Sequence, residues 1–367
     1  MNRLLDVGEP APWFVCASTA NDRYIFSSAA GRHVVLAFFG SAQTAFGQRL
    51  LAWAEALCDL FNDEGVSFFG VCTDPADRDQ QRVVPRSSGI RHFWDFDKAV
   101  STSYGALNEA GAPRPVVYVL DPMLRVVHRC TFDNEDDWTG LAIRLAELPQ
   151  PETPYPARLQ APVLCVPHVF EPELCHTLVR YYRSLGGKDS GFMRQIGDKT
   201  VGVYDYAVKR RRDCRIDDEA LRRSCMVRIH NRLLPQIRTA FQFKATRMER
   251  YIVACYDAEE QGHFRAHRDN TTPVTAHRQF AVSLFLNTGE YDGGELRFPE
   301  FGNARYSAPS GGAVVFSCSL LHEASAVTRG RRYMFLPFLY DDAAALQREK
   351  SAHLVENAVP PDGGLRA

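Results

Sequence analysis

The segment His267-Arg268-Asp269 lies among short, strand-like stretches that together decide the fold of the second half of this chain. These stretches are separated by Gly, Pro, Asn and Asp residues, and they span 249–256, 280–287, 294–298, 313–316 and 332–339. Several short strands with such turns between them are typical of a β-sandwich or barrel. Because residues i and i+2 of a strand point to one face, His267 and Asp269 can lie side by side.

Two segments with helical spacing of apolar residues precede the strands, at 171–183 and 218–237. Asp217 is a candidate N-cap for the second segment. Pro235 should end or kink that helix, because proline lacks a backbone N–H. The second half is therefore predicted to be an α+β domain with a helical buttress beside a β core.

A dense run of prolines divides the chain: Leu148-Pro149-Gln150-Pro151-Glu152-Thr153-Pro154-Tyr155-Pro156. Prolines this close together cannot continue a helix or a central strand, so an extended linker is expected. We predict a first domain at 1–148, a linker at 149–159, a second domain at 160–345 with its core at about 248–340, and a tail at 346–367.

In the first domain, strand-like and helical segments alternate. The strand-like segments are 34–39, 66–71, 115–120 and 125–130, and the helical ones are 48–62 and 136–148. This order predicts an α/β domain, in which helices cover a sheet.

Bulk composition excludes some classes of function. The formal net charge is −1 and the isoelectric point is about 6.8, so no overall field favours nucleic acid or an anionic membrane. No apolar run approaches the roughly 18 residues that span a bilayer. The ten cysteines form no C-x-x-C pair, which predicts reduced thiols in a cytoplasmic protein. The basic run at 209–212 is expected to be a solvated loop, or otherwise a surface for an acidic partner.

A histidine two residues before an acidic residue is weak evidence for a metal site when taken alone. With 11 histidines and 44 acidic residues in 367, chance supplies about one such pair. The context is more specific, because His322 follows the apolar run at 313–316 and Arg332 comes ten residues later. Two imidazoles and one carboxylate can bind a ferrous ion and leave its opposite face open. A guanidinium on the next strand can bind a carboxylate in bidentate fashion, so the pocket suits a keto diacid.

Residues from about 248 to 340 resemble the prolyl-4-hydroxylase type of iron(II)/2-oxoglutarate oxygenase, which has a Tyr…His-x-Asp…His…Lys/Arg motif. Tyr256 stands at the motif tyrosine, His267, Asp269 and His322 match the iron ligands, and Arg332 matches the residue that holds the 2-oxoglutarate C5 carboxylate. Gly293-Gly294-Glu295-Leu296 resembles the family's Gly-Gly-x-Leu strand, and Leu284 stands where several relatives carry a second tyrosine. The resemblance implies a double-stranded β-helix (jelly-roll) core.

The resemblance also implies the chemistry. Iron(II), 2-oxoglutarate and dioxygen would be required, with ascorbate as a further candidate cofactor, and succinate and carbon dioxide would be released. A peptidyl side chain or a free amino acid or other small metabolite would be hydroxylated. Asp269 occupies the position that a halide would need, which favours hydroxylation over halogenation.

Several roles stay open at this point. Arg331 competes with Arg332 for the co-substrate carboxylate, and strand alternation puts the two on opposite faces. Tyr256 could be a core residue, and Asn270 could cap a turn or contact substrate. Three further residues are expected to be structural, with Arg278 in an ion pair: His263, His277 and Arg278.

Residues from about 6 to 148 resemble a peroxiredoxin or thioredoxin-like domain. Thr44 matches the threonine of the family's Pro-x-x-x-Thr/Ser-x-x-Cys motif, and Arg114 resembles its loop arginine. Gly47 stands at the cysteine position, which excludes peroxide reduction by that route. We expect a structural, partner-binding or substrate-presenting module. The alternatives to an oxygenase are therefore a non-catalytic sensor or scaffold, and a thiol peroxidase that Gly47 argues against.

Overall fold

In a computed structural model the chain divides into two compact units, residues 1–155 and 156–367. The structure describes residues 3–84, 89–149, 151, 154, 156 and 159–356. The division falls within the predicted linker at 149–159, most of which lies outside the described residues.

The first unit alternates strands and helices around a five-stranded mixed sheet, and its first two strands form a separate antiparallel pair. Its strands are β1 Val15–Cys16, β2 Tyr24–Ile25, β3 His33–Gly40, β4 Val66–Cys72, β5 Ile90–Trp94, β6 Val116–Leu120 and β7 Val126–Cys130. Its helices are α1 Ala45–Ala56, α2 Pro75–Asp79, α3 Ala99–Ser103 and α4 Asp136–Ala146. The sheet order is β5-β4-β3-β6-β7, with β3, β4 and β5 parallel and the other neighbours antiparallel.

Strand β3 is buried on both faces, which explains its continuous apolar run. Val34 and Leu36 contribute to one apolar cluster, whereas Val35 and Ala37 pack with α1 and α4 in a second cluster. The predicted α/β, thioredoxin-like fold of this region is confirmed.

The second unit opens with a short strand and one helix, and five further short strands precede its second and third helices, so the two predicted helices are not adjacent along the chain. Its helices are α5 Pro172–Leu185, α6 Glu219–Arg228, α7 Leu234–Phe241 and α8 Asp342–Ser351. Its strands are β8 Leu164–Val166, β9 Lys188–Asp189, β10 Phe192–Ile196, β11 Lys199–Val203, β12 Lys209–Arg210, β13 Arg212–Arg215, β14 Arg247–Glu249, β15 Ile252–Asp257, β16 His263–His267, β17 Phe280–Phe285, β18 Asp292–Gly293, β19 Leu296–Arg297, β20 Arg305–Tyr306, β21 Ala313–Ser317, β22 His322–Ala324, β23 Val327–Arg329, β24 Arg331–Phe335, β25 Phe338–Tyr340 and β26 Val355–Glu356.

Two sheets form the β core of this unit. The larger has the order β14-β25-β17-β24-β15-β13-β9, with β21 joining β17 to β8, and the smaller has the order β12-β16-β22-β19-β20. Successive side chains of β15 point to opposite faces of the larger sheet. Val253 and Cys255 pack with the helices, whereas Ala254 and Tyr256 share a cluster with Phe264 of the smaller sheet. The predicted α+β domain with a jelly-roll core and helical buttress is confirmed.

Helix ends differ from the sequence-based expectations by small steps. The N-cap of α6 is Asp218 and not Asp217, because the Asp218 carboxylate accepts a hydrogen bond from the Leu221 amide at 2.8 Å. A π-helical turn at Ile229–Leu233 separates α6 from α7, and it widens the helix just before Pro235. The wider turn accommodates proline, which lacks a backbone N–H, so the helical segment is not ended there.

The predicted start of a tail at residue 346 lies inside α8. Beyond α8, β26 pairs in parallel with β11, so residues up to 356 belong to the ordered second unit. Among the described residues, no helix combines the length and the apolar character needed to cross a bilayer.

Candidate active site

Three side chains from the predicted motif converge in the second unit. His267 ends β16 and His322 begins β22, and the two residues are direct partners in the antiparallel pairing of these strands. Asp269 lies in the turn after β16, where its amide donates to the Cys318 carbonyl at 3.0 Å. One ligand atom from each of the three residues lies within 4.8 Å of the others. The structure therefore brings an N, N, O donor set together on one side of the smaller sheet.

Both imidazoles are oriented by the backbone. The Nδ1 atom of His267 lies 2.7 Å from the Arg265 carbonyl, and that of His322 lies 3.0 Å from the Leu320 carbonyl. If Nδ1 carries the proton in each ring, Nε2 keeps its lone pair free for a metal. The two Nε2 atoms lie 3.5 and 3.3 Å from the carboxylate oxygens of Asp269.

The protonation states suit metal binding as well. Burial, followed by the charge of His267, lowers the pKa of His322 to about 4. Burial raises the pKa of Asp269, but His322 and His267 more than offset this effect and bring it below its ordinary value. At neutral pH His322 is therefore neutral and Asp269 is anionic, and these are the forms that donate to a metal.

Arg332 lies in the same cavity, which has a volume of about 520 Å³ including its mouth. It is 2% exposed, and its Nε atom has no hydrogen-bond partner among the described residues. It pairs across the strands with Tyr256, and its guanidinium lies 5.0 Å from the centre of the Tyr256 ring. Arg331 points away, with its side chain 52% exposed and its Nε atom 2.7 Å from Asp257. Of the two rivals, Arg332 is the one that faces the cavity.

The Gly-Gly-Glu-Leu segment makes room for this arginine. A Cβ atom at Gly294 would lie 2.7 Å from Cδ of Arg332, and one at Gly293 would lie 2.3 Å from the Ala326 carbonyl oxygen. The φ angle is also positive at both glycines, 75° at Gly293 and 67° at Gly294. The motif is therefore required by close packing beside Arg332.

Leu284 does not face the cavity. It packs in the apolar cluster between the larger sheet and the helices, whereas the adjacent Ser283 lines the cavity. At the position where several relatives carry a second tyrosine, strand alternation therefore turns this side chain away from the cavity.

The basic run at 209–212 is not a solvated loop. Lys209 and Arg211 are buried, at 5% and 6% exposure, while Arg210 and Arg212 point outward. Arg211 forms a two-pronged ion pair with Asp213, and its Nη1 atom donates to the Tyr256 hydroxyl at 3.3 Å. The signal in the sequence was the two-residue period of Lys209, Arg211 and Asp213, which marks one strand face.

Arg250 is a further cavity residue that the sequence did not reveal. It lines both the cavity with the triad and an adjacent groove bounded by residues of β10. His267, Asp269 and Phe264 also line both spaces, so the triad lies at the boundary between them.

The remaining polar residues behave as structural groups. His277 is buried 3.2 Å from Glu249, and Arg278 donates to the same carboxylate at 2.7 Å, which confirms the predicted ion pair. The ring of His263 bonds to backbone carbonyls, and Asn270 donates to the Ser319 hydroxyl at 2.8 Å.

In the first unit, the position of the peroxidatic cysteine is closed. Thr44 caps α1 and accepts a hydrogen bond from the Gly47 amide at 2.9 Å. A Cβ atom at Gly47 would lie 2.1 Å from the Ser41 carbonyl oxygen, so no thiol-bearing side chain fits there. Arg114 is exposed, and burial raises the pKa of the Cys72 thiol far above its ordinary value. This region offers no reactive thiolate at the expected place.

Comparison with known proteins supports both regional resemblances. Residues 251–340 match the 2OG-Fe(II) oxygenase superfamily, and residues 7–129 match the AhpC/TSA family. The chain thus contains a 2OG-Fe(II) oxygenase domain preceded by an AhpC/TSA-like region, as the motifs predicted.

Individual relatives match only parts of the chain. A PKHD-type hydroxylase of Synechococcus sp. (strain JA-2-3B'a(2-13)) is 33% identical over 88 residues, which are 22% of this chain and 38% of that protein. The prolyl hydroxylase of Trichoplax adhaerens, solved with a hypoxia inducible factor peptide, is 16% identical over 52% of this chain and 88% of its own, with a TM-score of 0.39. Mycobacterium tuberculosis AhpC is 17% identical over 38% of this chain and 94% of its own, with a TM-score of 0.32.

Proposed function

We propose that the second unit is an iron(II)- and 2-oxoglutarate-dependent dioxygenase that hydroxylates a peptidyl side chain, a free amino acid or a related small metabolite. The observation that carries the proposal is the convergence of His267, Asp269 and His322 beside a buried Arg332 whose Nε atom has no hydrogen-bond partner among the described residues. Family membership of residues 251–340 supports the same activity.

In this proposal His267, Asp269 and His322 bind the iron. Their donor set is the two-histidine, one-carboxylate set of non-haem oxygenases, which leaves three coordination positions for co-substrate and dioxygen. When bound, the iron would activate dioxygen with two electrons from 2-oxoglutarate, which would be oxidised to succinate and carbon dioxide while the second oxygen atom goes to the substrate. The backbone carbonyls of Arg265 and Leu320 keep the imidazoles in place.

Arg332 holds the C5 carboxylate of 2-oxoglutarate. A buried guanidinium with an unsatisfied Nε atom is costly unless an anion accompanies it, and a carboxylate satisfies both its charge and its donors. Tyr256 lies against this guanidinium and contributes a wall of the same pocket. A purely structural scaffold would not need such a residue, which disfavours the non-catalytic alternative.

For the first unit we propose a role in binding a partner or presenting substrate. Peroxidase chemistry is disfavoured in this unit, because Gly47 has no space for a side chain. The sequence of the unit otherwise matches the AhpC/TSA family.

Anaerobic titration with iron(II) and 2-oxoglutarate tests the assignment. The complex should show a weak visible charge-transfer band, and dioxygen should then convert 2-oxoglutarate to succinate. A screen of succinate release over amino acids and proline-containing peptides would identify the substrate class. Absence of both the band and succinate would favour the scaffold.

A further inference from the structure

The groove beside the triad carries more positive than negative charge. Among the described residues, its charged lining consists of Asp269 and five cations: Arg194, Lys209, Arg250, Arg268 and Arg278. Arg211 lies behind it in the cavity. Arg268 is balanced by Glu300 at 2.7 Å. Arg278 is balanced by Glu249 at 2.7 Å. Arg211 and Arg250 share one carboxylate, that of Asp213.

Asp213 is already saturated by its neighbours. Arg211 occupies both carboxylate oxygens at 2.7 Å, and the Ser190 hydroxyl donates to one of them at 2.6 Å. Among the described residues, Arg250 makes one longer hydrogen bond, to Asp213 at 3.3 Å. Most of its five donors are therefore not used by the described residues, and Arg250 lines the groove.

Lys209 adds to the surplus. Its ammonium group donates to the Ser190 hydroxyl at 2.8 Å and to the Gly191 carbonyl at 2.7 Å, and both acceptors are neutral. Within the described part of the chain, no carboxylate lies within ion-pair distance of this lysine. Burial and the charges of Arg211 and Arg250 lower the pKa of Lys209, as expected where like charges crowd together.

The co-substrate does not remove this surplus. In the proposed loaded site, the charges of iron(II) and Arg332 are balanced by Asp269 and the two carboxylates of 2-oxoglutarate. Lys209, Arg211 and Arg250 are then left with Asp213 alone. Arg250 also has a φ angle of 67°, an uncommon backbone conformation for a residue with a side chain, and such outliers concentrate at binding sites.

We propose that the groove selects an anionic substrate, and that Arg250 binds the carboxylate of this substrate beside the iron site. This inference rests on the proposed function. The carboxylate could belong to a free small molecule or to an acidic residue of a peptide. Both sources present the same planar group to the guanidinium fork.

The test compares matched acid and amide probes on the full-length protein, loaded anaerobically with iron(II) and saturating 2-oxoglutarate. One pair is N-acetylproline and N-acetylprolinamide, and the other is a capped Gly-Asp-Gly peptide and its Gly-Asn-Gly counterpart. Calorimetry should show that the acid binds about ten-fold more tightly than the amide in at least one pair, since charge-assisted hydrogen bonds are stronger than those to a neutral amide. The pair that discriminates identifies the source of the carboxylate.

Arg250→Gln should abolish most of that preference while the affinity for 2-oxoglutarate changes less than two-fold. Arg250→Lys keeps the charge and should retain part of the preference. The matched control is Arg247→Gln, because Arg247 is half-exposed and paired with Asp342 outside the groove. This control should bind all probes like the wild-type protein.

Equal binding of acid and amide in both pairs, including no binding of either, would overturn the anionic-substrate proposal. So would an Arg250→Gln variant that loses 2-oxoglutarate affinity and keeps the acid preference. Failure to form the iron(II) and 2-oxoglutarate complex would instead sink the proposed function. The same calorimetry on the metal-free protein would then still decide whether the groove prefers acids.

Discussion

The first turn of α1 in the first unit and the turn after β16 in the second differ in what surrounds the reactive position. At Gly47 the helix cap is intact, but the Ser41 carbonyl occupies the space that a side chain would need. At His267 and Asp269 the scaffold holds the side chains toward a shared point and leaves a cavity in front of them. The contrast teaches that a retained fold does not imply a retained activity, because activity depends on the site built on the fold.

Removing one member of the triad should have the largest effect. His267→Ala is expected to abolish the charge-transfer band and to reduce succinate production at least about 100-fold, because two ligands alone bind the metal poorly. The measurement is anaerobic absorption followed by succinate release. His263→Ala is the matched control, since His263 lies on the same strand and bonds only to backbone carbonyls. Full activity in His267→Ala would refute the ligand assignment.

Loss of the cavity arginine should come next. Arg332→Gln is expected to raise the KM for 2-oxoglutarate by about 10- to 100-fold, because the C5 carboxylate loses a charged partner worth about 1.5–3 kcal/mol. Steady-state kinetics measures this effect, with Arg331→Gln as the control. If Arg331→Gln had the larger effect, the co-substrate would lie on the other side of the strand.

Restoring a cysteine in the first unit should fail. Gly47→Cys forces a Cβ atom against the Ser41 carbonyl, and such overpacking destabilises by about 1–3 kcal/mol. Thermal unfolding should show a lower melting temperature for this variant, and a peroxide-consumption assay should show no activity. Gly140→Cys on α4 provides the control, because a Cβ atom there meets nothing within 4 Å. Peroxidase activity in Gly47→Cys would contradict the closed-loop interpretation.

The sequence predicted the architecture and the His267 and Asp269 pair because both depend on local, periodic patterns. The β3 run, the α5 spacing and the His-x-Asp step each follow from one element and its geometry. Pairing of His267 with His322 was accessible only through the motif resemblance, since no local pattern sets the register of two distant strands.

The sequence failed where long-range packing decides the outcome. Lys209 and Arg211 are strongly polar, so a solvated loop was the natural expectation, yet Asp213 and Tyr256 provide partners that permit burial. Arg250 was missed because nothing in its neighbours along the chain indicates that it reaches the triad. The motif resemblance placed Leu284 at a tyrosine position of relatives but did not give its orientation, which strand alternation turns toward the apolar cluster.

A change to acid pH should have the smallest effect of these perturbations. It should lower the stability of the helical buttress of the second unit. Burial raises the pKa of Glu171, but the hydrogen bonds from Arg228 and Arg232 bring it to about 2, below its ordinary value of 4.5. The folded state therefore favours the charged form, so this contribution is fully present above about pH 4.5 and is lost as the pH falls toward 2. Because the site is partly exposed, we expect the charge of Glu171 to contribute about 1–2 kcal/mol to the free energy of unfolding. Urea unfolding of the wild-type protein and of Glu171→Gln should differ by this amount at pH 7 and converge near pH 2 to 3. A difference that persists undiminished at pH 2 would show that Glu171 acts through packing and not through its charge.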